Sequence, residues 1–139
     1  MSSVQFREML VALFNEAPIK KSLDLSLEYN DQAEAMCKFP RNSNFDHGGG
    51  DVHGGIIATL LDTAAWFTAA AQYGQAVVTA DINVRMLRPA RQGDLVATAQ
   101  VIRLGSKAAV TQMQVSGADG ELVAVGTASL TKIGSVPSK

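Results

Sequence analysis

Hydrophobic and polar positions follow regular spacings along most of the chain, and the spacing changes between helical and strand-like segments. Apolar residues first recur three or four positions apart, which predicts an N-terminal amphipathic helix over residues 1–16, opened by a capping box of Ser2 and Gln5. Apolar and polar side chains then alternate strictly over residues 22–29 and more weakly over residues 33–39. These two segments predict a pair of β-strands joined as a hairpin.

The segment from Gly54 to Tyr73 has a different pattern. Large and small apolar residues occur on every side of the helix that it would form, Asp62 is its only charge, and the segment ends at Gly74. At 1.5 Å per residue, such a helix is roughly 30 Å long. Because a helix that is apolar all round must be covered on several sides, we expect it to form the core of the fold.

Four further strand-like segments follow this helix and are separated by short turns that contain glycine. They cover residues 77–87, 94–104, 108–116 and 121–131. Regular strands with short turns predict an antiparallel meander. The whole order therefore predicts an α+β fold in which a curved antiparallel sheet wraps one long central helix. We expect residues 1–139 to form a single domain, with a flexible tail over residues 133–139.

Composition and charge narrow the possible partners and the cellular compartment. The chain has 12 basic and 13 acidic residues, so it lacks the excess of basic residues that binding to nucleic acid or to an anionic membrane would require. Cys37 is the only cysteine, which excludes an internal disulfide and favours a reducing cytoplasm. We expect no signal peptide, and the apolar stretch over residues 56–71 is shorter than the roughly 20 residues of a membrane span.

The strongest candidate for chemistry is the start of the long helix, where His53, Gly54 and Gly55 precede Asp62 by about two turns. The first amides of a helix have no partner within it, and the helix dipole attracts negative charge there. The N–H of Gly54, which no side chain obstructs, could therefore bind an oxyanion. The structural alternative is a hydrogen-bonding aspartate beside a permissive glycine turn, and both interpretations fit these residue types.

The order of several motifs resembles one enzyme family. His53-Gly54-Gly55 is followed after six residues by Asp62, and further matches occur at residues 79–84, 87–90, 105–107 and 120–131. Over about residues 20–132, this set resembles the hotdog-fold acyl-CoA thioesterases of the phenylacetate-pathway type. The resemblance implies hydrolysis of an aromatic or medium-chain acyl-CoA to the free acid and CoA without a cofactor. It also implies a homodimer with shared active sites, which commonly pairs into a homotetramer.

The resemblance also implies roles for individual residues. The Gly54 amide would polarise the thioester carbonyl, Asp62 would act as nucleophile or general base, and the Thr79 hydroxyl would assist Asp62 or the water. His47 stands where family members usually carry asparagine, and its ring could donate a hydrogen bond to the carbonyl or orient water. The remaining candidate substrate contacts are His53, Gly55, Arg85, Arg88, Gly105, Ser106 and Lys107.

Two other functions of the same fold stay open at this stage. One is a non-catalytic module that binds acyl-CoA for regulation, because a fold does not fix a function. The other is a hotdog dehydratase, in which His53 and Asp62 would face each other to move protons. Release of CoA from acyl-CoA substrates would separate the thioesterase from the binding module.

Other kinds of site fit the sequence less well. Four possible metal ligands lie close together in a glycine-rich loop, but turns of this kind are commonly unliganded and we expect no metal: Asp46, His47, Asp51 and His53. The glycines at 48–50 lack the Gly-Lys-Ser/Thr of a P-loop, and no Gly-x-Ser-x-Gly of a serine hydrolase occurs. Cys37 has no histidine nearby and is expected to be a buried core thiol.

Overall fold

A six-stranded antiparallel sheet packs against one long helix in the computed structural model, which describes residues 1–91 and 93–134. The strands lie in the order β1-β2-β4-β5-β6-β3, and α3 contacts β2 to β6. This arrangement confirms the predicted α+β architecture. The elements in chain order are α1 (Ser3–Asn15), α2 (Pro18–Leu23), β1 (Ser26–Tyr29), β2 (Ala35–Phe39), a 3₁₀ turn (Ser43–Phe45), α3 (Gly54–Tyr73), β3 (Ala76–Met86), β4 (Leu95–Leu104), β5 (Ala108–Ser116) and β6 (Leu122–Gly134).

The N-terminal helix forms as predicted, with the reciprocal hydrogen bonds of the capping box between Ser2 and Gln5. The predicted strand over residues 22–29 is wrong in its first half, where the short helix α2 ends at Leu23 and β1 begins only at Ser26. Leu23 and Leu25 are both buried in the core. They flank Asp24, the C-cap of α2 with a φ of 53°, so their alternation with polar neighbours does not reflect an extended strand.

The central helix α3 has the predicted bounds. It ends at Gly74, whose φ of 67° is in the left-handed region that glycine adopts without strain. The helix is long and apolar enough to cross a membrane by length and composition alone, with a mean hydropathy of 1.3. Here it is the core helix of the fold, because nine of its residues are buried against the sheet and α1: Ile57, Leu60, Leu61, Ala64, Ala65, Thr68, Ala69, Ala70 and Ala71.

Three aromatic side chains connect α3 to the sheet through hydrogen bonds as well as through packing. The Tyr29 hydroxyl donates to the Phe67 carbonyl at 2.8 Å, and the Trp66 indole N–H donates to the Val77 carbonyl at 2.7 Å. At the far end, the Tyr73 hydroxyl donates to the carbonyl of Gly105 at 2.6 Å. Each bond of this kind contributes about 1 kcal/mol, and together they fix the register of the helix on the sheet.

A β-bulge interrupts the pairing of β3 with β6. Thr79 is opposite Leu130 and Asp81 is opposite Ser129, so Ala80 is an extra residue without a partner. A bulge shifts every following side chain to the other face of its strand. Bulges also recur beside active sites, where they redirect a side chain.

Because of the bulge, odd-numbered residues of β3 face α3 before Ala80 and even-numbered residues face it afterwards. Before it, Val77 is buried and Thr79 is hydrogen-bonded to the helix. After it, Val84 packs against the core and Met86 reaches the start of α3. In an uninterrupted strand, Val84 and Met86 would point away from α3, the helix to which Thr79 is hydrogen-bonded.

The strands after α3 lie close to their predicted positions, and β5 coincides with its prediction. The largest difference is at the end of β6, which continues to Gly134 although a tail was predicted from residue 133. The rest of that predicted tail, residues 135–139, lies outside the described residues.

The single cysteine, Cys37 on β2, is fully buried and not paired. Burial raises the pKa of its thiol to about 12. The thiol is therefore protonated at neutral pH, and the prediction of a buried core thiol is confirmed.

Candidate active site

The first turn of α3 leaves one backbone amide free. His53 caps the helix, and its Nδ1 accepts the Gly55 N–H at 2.8 Å. The amides of Ile56 and Ile57 donate to the carbonyl of His53. The Gly54 N–H has no acceptor within residues 1–91 and 93–134. The Gly54 amide, which the sequence predicts to bind an oxyanion, is thus available, whereas the Gly55 amide is occupied by the His53 ring.

Gly54 opens onto a cleft of about 370 Å³ between the start of α3 and the end of β3. A β-carbon on Gly54 would lie 3.3 Å from the Met86 Cε, so the glycine leaves space between the amide and this flexible side chain. The cleft is lined by His47, Asp51, Val52, Gly54, Ile57, Met86, Leu87, Arg88, Pro89 and Ala90. Its apolar walls and single free amide suit a ligand with a carbonyl next to an apolar group.

His47 lies in the same cleft as Gly54, as the resemblance implied. Its Nδ1 accepts the Gly49 N–H at 2.9 Å, and its Nε2 lies 3.6 Å from Asp51 Oδ2. Since Nδ1 is an acceptor, the neutral ring carries its proton on Nε2. His47 can therefore donate one hydrogen bond from the Nε2 side, and a role towards substrate or water stays a prediction.

Asp62 and Thr79 are brought together, as the resemblance implied. The Thr79 hydroxyl donates to Asp62 Oδ1 at 2.7 Å, so the half-buried carboxylate has a partner and is not an isolated charge in an apolar helix. One turn further along α3, Trp66 is bonded to Val77, two residues before Thr79. The two contacts hold the same helix face against the same strand, which fixes the orientation of the carboxylate.

Gly54 and Asp62 do not meet within one chain. They are eight positions apart on α3, which corresponds to roughly 12 Å along the helix axis. Asp62 is also absent from the lining of the cleft that Gly54 opens onto. A carbonyl oxygen bound at Gly54 is therefore out of reach of the carboxylate of the same chain.

The candidate residues for CoA binding lie in different places. Arg88 is engaged within the fold, since its guanidinium donates to Asp119 at 2.8 Å and to the Leu122 carbonyl at 3.2 Å. The pKa of Asp119 is lowered by the N–H of Glu121 and by Arg88, which is consistent with a stable turn between β5 and β6. Arg88 thus holds this turn against the end of β3, and it also lines the cleft beside Gly54, so its contact with substrate stays a prediction.

Arg85 is exposed on the sheet face away from α3, in a shallow polar groove with Asn83 and Gln112. Gly105, Ser106 and Lys107 form the turn between β4 and β5, at the C-terminal end of α3. These residues are therefore not near the free amide of the same chain. Their contacts with substrate stay predictions.

Two features of this region were not predicted from the sequence: the contact of Met86 with Gly54, and the binding of the loop before α3 by Arg41. No local motif marks either feature. The turn of Met86 towards the cleft depends on the bulge at Ala80, and the contacts of Arg41 span about fifty positions of sequence.

Comparisons with known proteins identify the family of the chain. Residues 49–124, more than half of the chain, match the family described as the thioesterase superfamily. A relative from Halobacterium salinarum is 41% identical over 100 residues, which cover 67% of this chain and 66% of that protein. The medium/long-chain acyl-CoA thioesterase YigI of Salmonella typhimurium is 28% identical, with 93% of this chain and 97% of that protein covered.

Among solved structures, the E. coli PaaI protein from the phenylacetic acid degradation operon superposes with a TM-score of 0.89. It is 24% identical, and the match covers 99% of this chain and 100% of that one, so it is evidence for the fold. The chain therefore belongs to the thioesterase superfamily, which confirms the predicted hotdog fold and the predicted class of thioester hydrolase.

Proposed function

We propose that the protein hydrolyses acyl-CoA thioesters to a carboxylic acid and CoA, in active sites that two copies of the chain share. The observation that carries the proposal is the Gly54 N–H, which is left without an acceptor where α3 begins and opens onto an apolar cleft. The acyl-CoA thioesterase name of the Salmonella relative supports the substrate class. We propose an aromatic or medium-chain acyl group, because the cleft wall beside Gly54 includes Met86, Leu87 and Ile57.

The chemistry follows from two groups. The Gly54 amide stabilises the negative charge that develops on the thioester oxygen, aided by the dipole of α3. Thr79 occupies Oδ1 of Asp62, while Oδ2 has no partner in the described part of the chain and is the oxygen free to react. CoA leaves as a thiolate, which needs no strong acid to assist it.

Asp62 can use its free oxygen in two ways. As a general base it takes a proton from water, the water oxygen bonds to the carbonyl carbon, the C–S bond breaks, and the thiolate finally takes up the proton. As a nucleophile it bonds to the carbonyl carbon itself, releases the thiolate, and forms an anhydride that water then hydrolyses. In both routes Thr79 keeps the carboxylate oriented.

A dehydratase fits the geometry less well. His53 uses Nδ1 to cap the Gly55 amide, and it lies nine positions before Asp62. The partner of Asp62 is the hydroxyl of Thr79 rather than a histidine. His53 thus serves as the helix cap and Asp62 as the acceptor of a hydroxyl, which differs from the facing histidine and carboxylate of a dehydratase.

The proposal of a shared site is based on β3, the strand at one edge of the sheet. β3 pairs with β6 on one side and with no other strand in the part of the chain that the structure describes. It presents Val78, Ile82 and Met86, which are 40 to 48% exposed. A long unpaired edge that carries exposed apolar residues invites pairing with another strand. Pairing of two β3 edges across a two-fold axis sets the two α3 helices side by side, so that Gly54 of one copy can approach Asp62 of the other.

A panel of acyl-CoAs with a thiol-trapping reagent tests the proposed activity. Phenylacetyl-CoA and octanoyl-CoA represent the two acyl classes, and catalytic release of CoA from either one is the expected result. Tight binding of acyl-CoA without release of CoA would instead identify a non-catalytic binding module.

Mixing two inactive variants tests whether the sites are shared. If Gly54 and Asp62 act across copies, Gly54→Ala and Asp62→Asn subunits form mixed dimers in which one site carries both changes and the other carries neither. Random reassembly of equal amounts should therefore restore about a quarter of the wild-type activity. Sedimentation velocity at micromolar concentration should show a dimer or tetramer. An active monomer, or mixed dimers without recovered activity, would contradict the shared site.

A further inference from the structure

One arginine outside the cleft connects three separate segments around it. The Arg41 guanidinium donates from Nη2 to Asp46 Oδ2 at 2.6 Å and to the Gly50 carbonyl at 3.1 Å. Its Nη1 donates to the carbonyl of Arg91, and its backbone N–H donates to Asp94 Oδ1 at 3.0 Å. A single side chain therefore joins the end of β2, both sides of the glycine loop, and the connection from β3 to β4.

The ion pair of Arg41 with Asp46 is sheltered from solvent. Their side chains are 20% and 12% exposed, compared with 48% and 63% for the surface pair of Lys38 with Glu28. Within the described residues, Arg41 Nε and Asp46 Oδ1 are buried without a partner. Burying these charges carries a desolvation cost, so the ion pair is expected to add little to the free energy of unfolding. We therefore attribute to it a role in fixing the geometry of the loop.

The loop that Arg41 binds leads directly into the free amide of α3. Asp46 and Val52 form an isolated bridge, and the N–H of His47 donates to the carbonyl of Asp51 at 2.9 Å. The N–H of Val52 then donates to the Ala90 carbonyl at 2.9 Å, immediately before the helix begins. His47 thus lies at the first turn of the loop, and the loop ends directly before Gly54.

The glycines at 48–50 would make this loop mobile if nothing restrained it, since glycine has the largest backbone freedom to lose on ordering. Arg41 holds the Asp46 side chain at one end of the glycine run and the Gly50 carbonyl at the other. It restrains the run by binding its two ends rather than by contact along its length. Arg41 is not among the residues that line the cleft, so it acts on the site only through the loop.

We infer that Arg41 is a positioning residue of the active site, which holds the glycine loop so that His47 and the Gly54 N–H face one substrate carbonyl. The inference rests on the proposed thioesterase function. We call the contacts of the Arg41 side chain with Asp46 and Gly50 the clamp. Loss of the clamp leaves every group of the cleft present but less well aligned with the transition state. Misplacement by about 1 Å can cost on the order of a hundredfold in rate. The effect should fall on kcat, because the rest of the acyl-CoA still binds.

Kinetics of Arg41→Met and Arg41→Lys test this role. Arg41→Met should lower kcat at least about tenfold and change KM less than about threefold, with octanoyl-CoA or phenylacetyl-CoA as substrate. Arg41→Lys should recover part of the loss, because an ammonium can pair with Asp46 but lacks the planar fork that reaches three acceptors. Lys38→Met is the matched control, since it removes an exposed ion pair from β2 and should leave kcat and KM unchanged.

Hydrogen exchange measured by mass spectrometry tests the clamp without any substrate. Arg41→Met should speed exchange in the peptide that contains the amides of His47, Gly50 and Val52, and leave peptides from β5 and β6 unchanged. If Arg41→Met does not fold, Asp46→Asn removes the ion pair at constant size and should show the same two effects.

The outcomes of these experiments distinguish failure of the Arg41 positioning role from failure of the proposed thioesterase function. Unchanged loop exchange overturns the clamp, and faster exchange with an unchanged kcat overturns its role in positioning. An equal loss of Tm and activity in Arg41→Lys and Arg41→Met, with no difference between kcat and KM effects, overturns the inference in favour of general destabilisation. A wild-type protein that releases CoA from no substrate refutes the thioesterase, and the exchange measurement still reports on the clamp because it does not depend on turnover.

Discussion

Replacing Asp62 with asparagine is expected to lower kcat by about a hundredfold or more, the scale of a lost acid–base group. Asparagine has the same size and keeps an oxygen that can accept the Thr79 hydroxyl, so the contact between α3 and β3 survives. What disappears is the anionic Oδ2, which has to take a proton or attack the carbonyl carbon. KM should change much less, because the binding surface keeps its shape.

The stability of the same variant distinguishes chemistry from folding. The melting temperature should stay the same or rise, since a half-buried charge in an apolar helix is replaced by a neutral group. Asp31→Asn is the matched control, because it makes the same chemical change at an exposed turn far from the cleft. Near wild-type turnover in Asp62→Asn would end the assignment of Asp62 as the reacting group.

The parts of the fold that were predicted from sequence are those that local spacing encodes. α3 could be placed between Gly54 and Tyr73 because its hydropathy is high on every side and a glycine follows it. The free Gly54 amide follows from the same boundary, because the first amides of any helix lack internal partners. The short strand pairs around tight glycine turns are equally local features, and their positions agree with the structure.

The faces of β3 could not be predicted in the same way. A period of two over residues 77–87 assigns Thr79 and Met86 to opposite faces, whereas the extra residue at Ala80 brings both to the α3 side. A bulge adds one position without a characteristic residue type, so the alternating pattern gives no sign of it. The contact of Met86 with Gly54 therefore became visible only in the folded chain.

Contacts that span distant parts of the chain were missed for a different reason. Arg41 reaches Arg91 and Asp94 across about fifty positions, and Arg88 reaches Asp119 across about thirty. A lone arginine in a loop has the same local pattern whether it binds phosphate or clamps its own fold. Arg88 meets acceptors that the turn between β5 and β6 supplies, which its sequence neighbourhood did not indicate, and its contact with phosphate stays a prediction.

The second large effect is expected from Gly54→Ala, which tests the oxyanion site itself. The backbone amide stays in place, but a methyl group is added where the substrate oxygen approaches. The φ of Gly54 lies outside the left-handed region, so alanine can adopt the native backbone conformation and is the better helix former. The variant should fold normally, with kcat/KM lower by about one to three orders of magnitude, as when an oxyanion donor is lost.

Two further variants identify the cause of that loss. Gly48→Ala is the control for a glycine change in the same region, because its β-carbon would meet nothing within 4 Å. The double variant Gly54→Ala with Met86→Ala removes the 3.3 Å contact between the new methyl group and Met86 Cε. If the methyl group itself blocks the amide, the double variant stays slow, whereas recovery of activity would mean that displacement of Met86 caused the loss. If Gly54→Ala alone hydrolyses every acyl-CoA as fast as the wild type, the start of α3 is only a helix start, and the oxyanion mechanism is wrong.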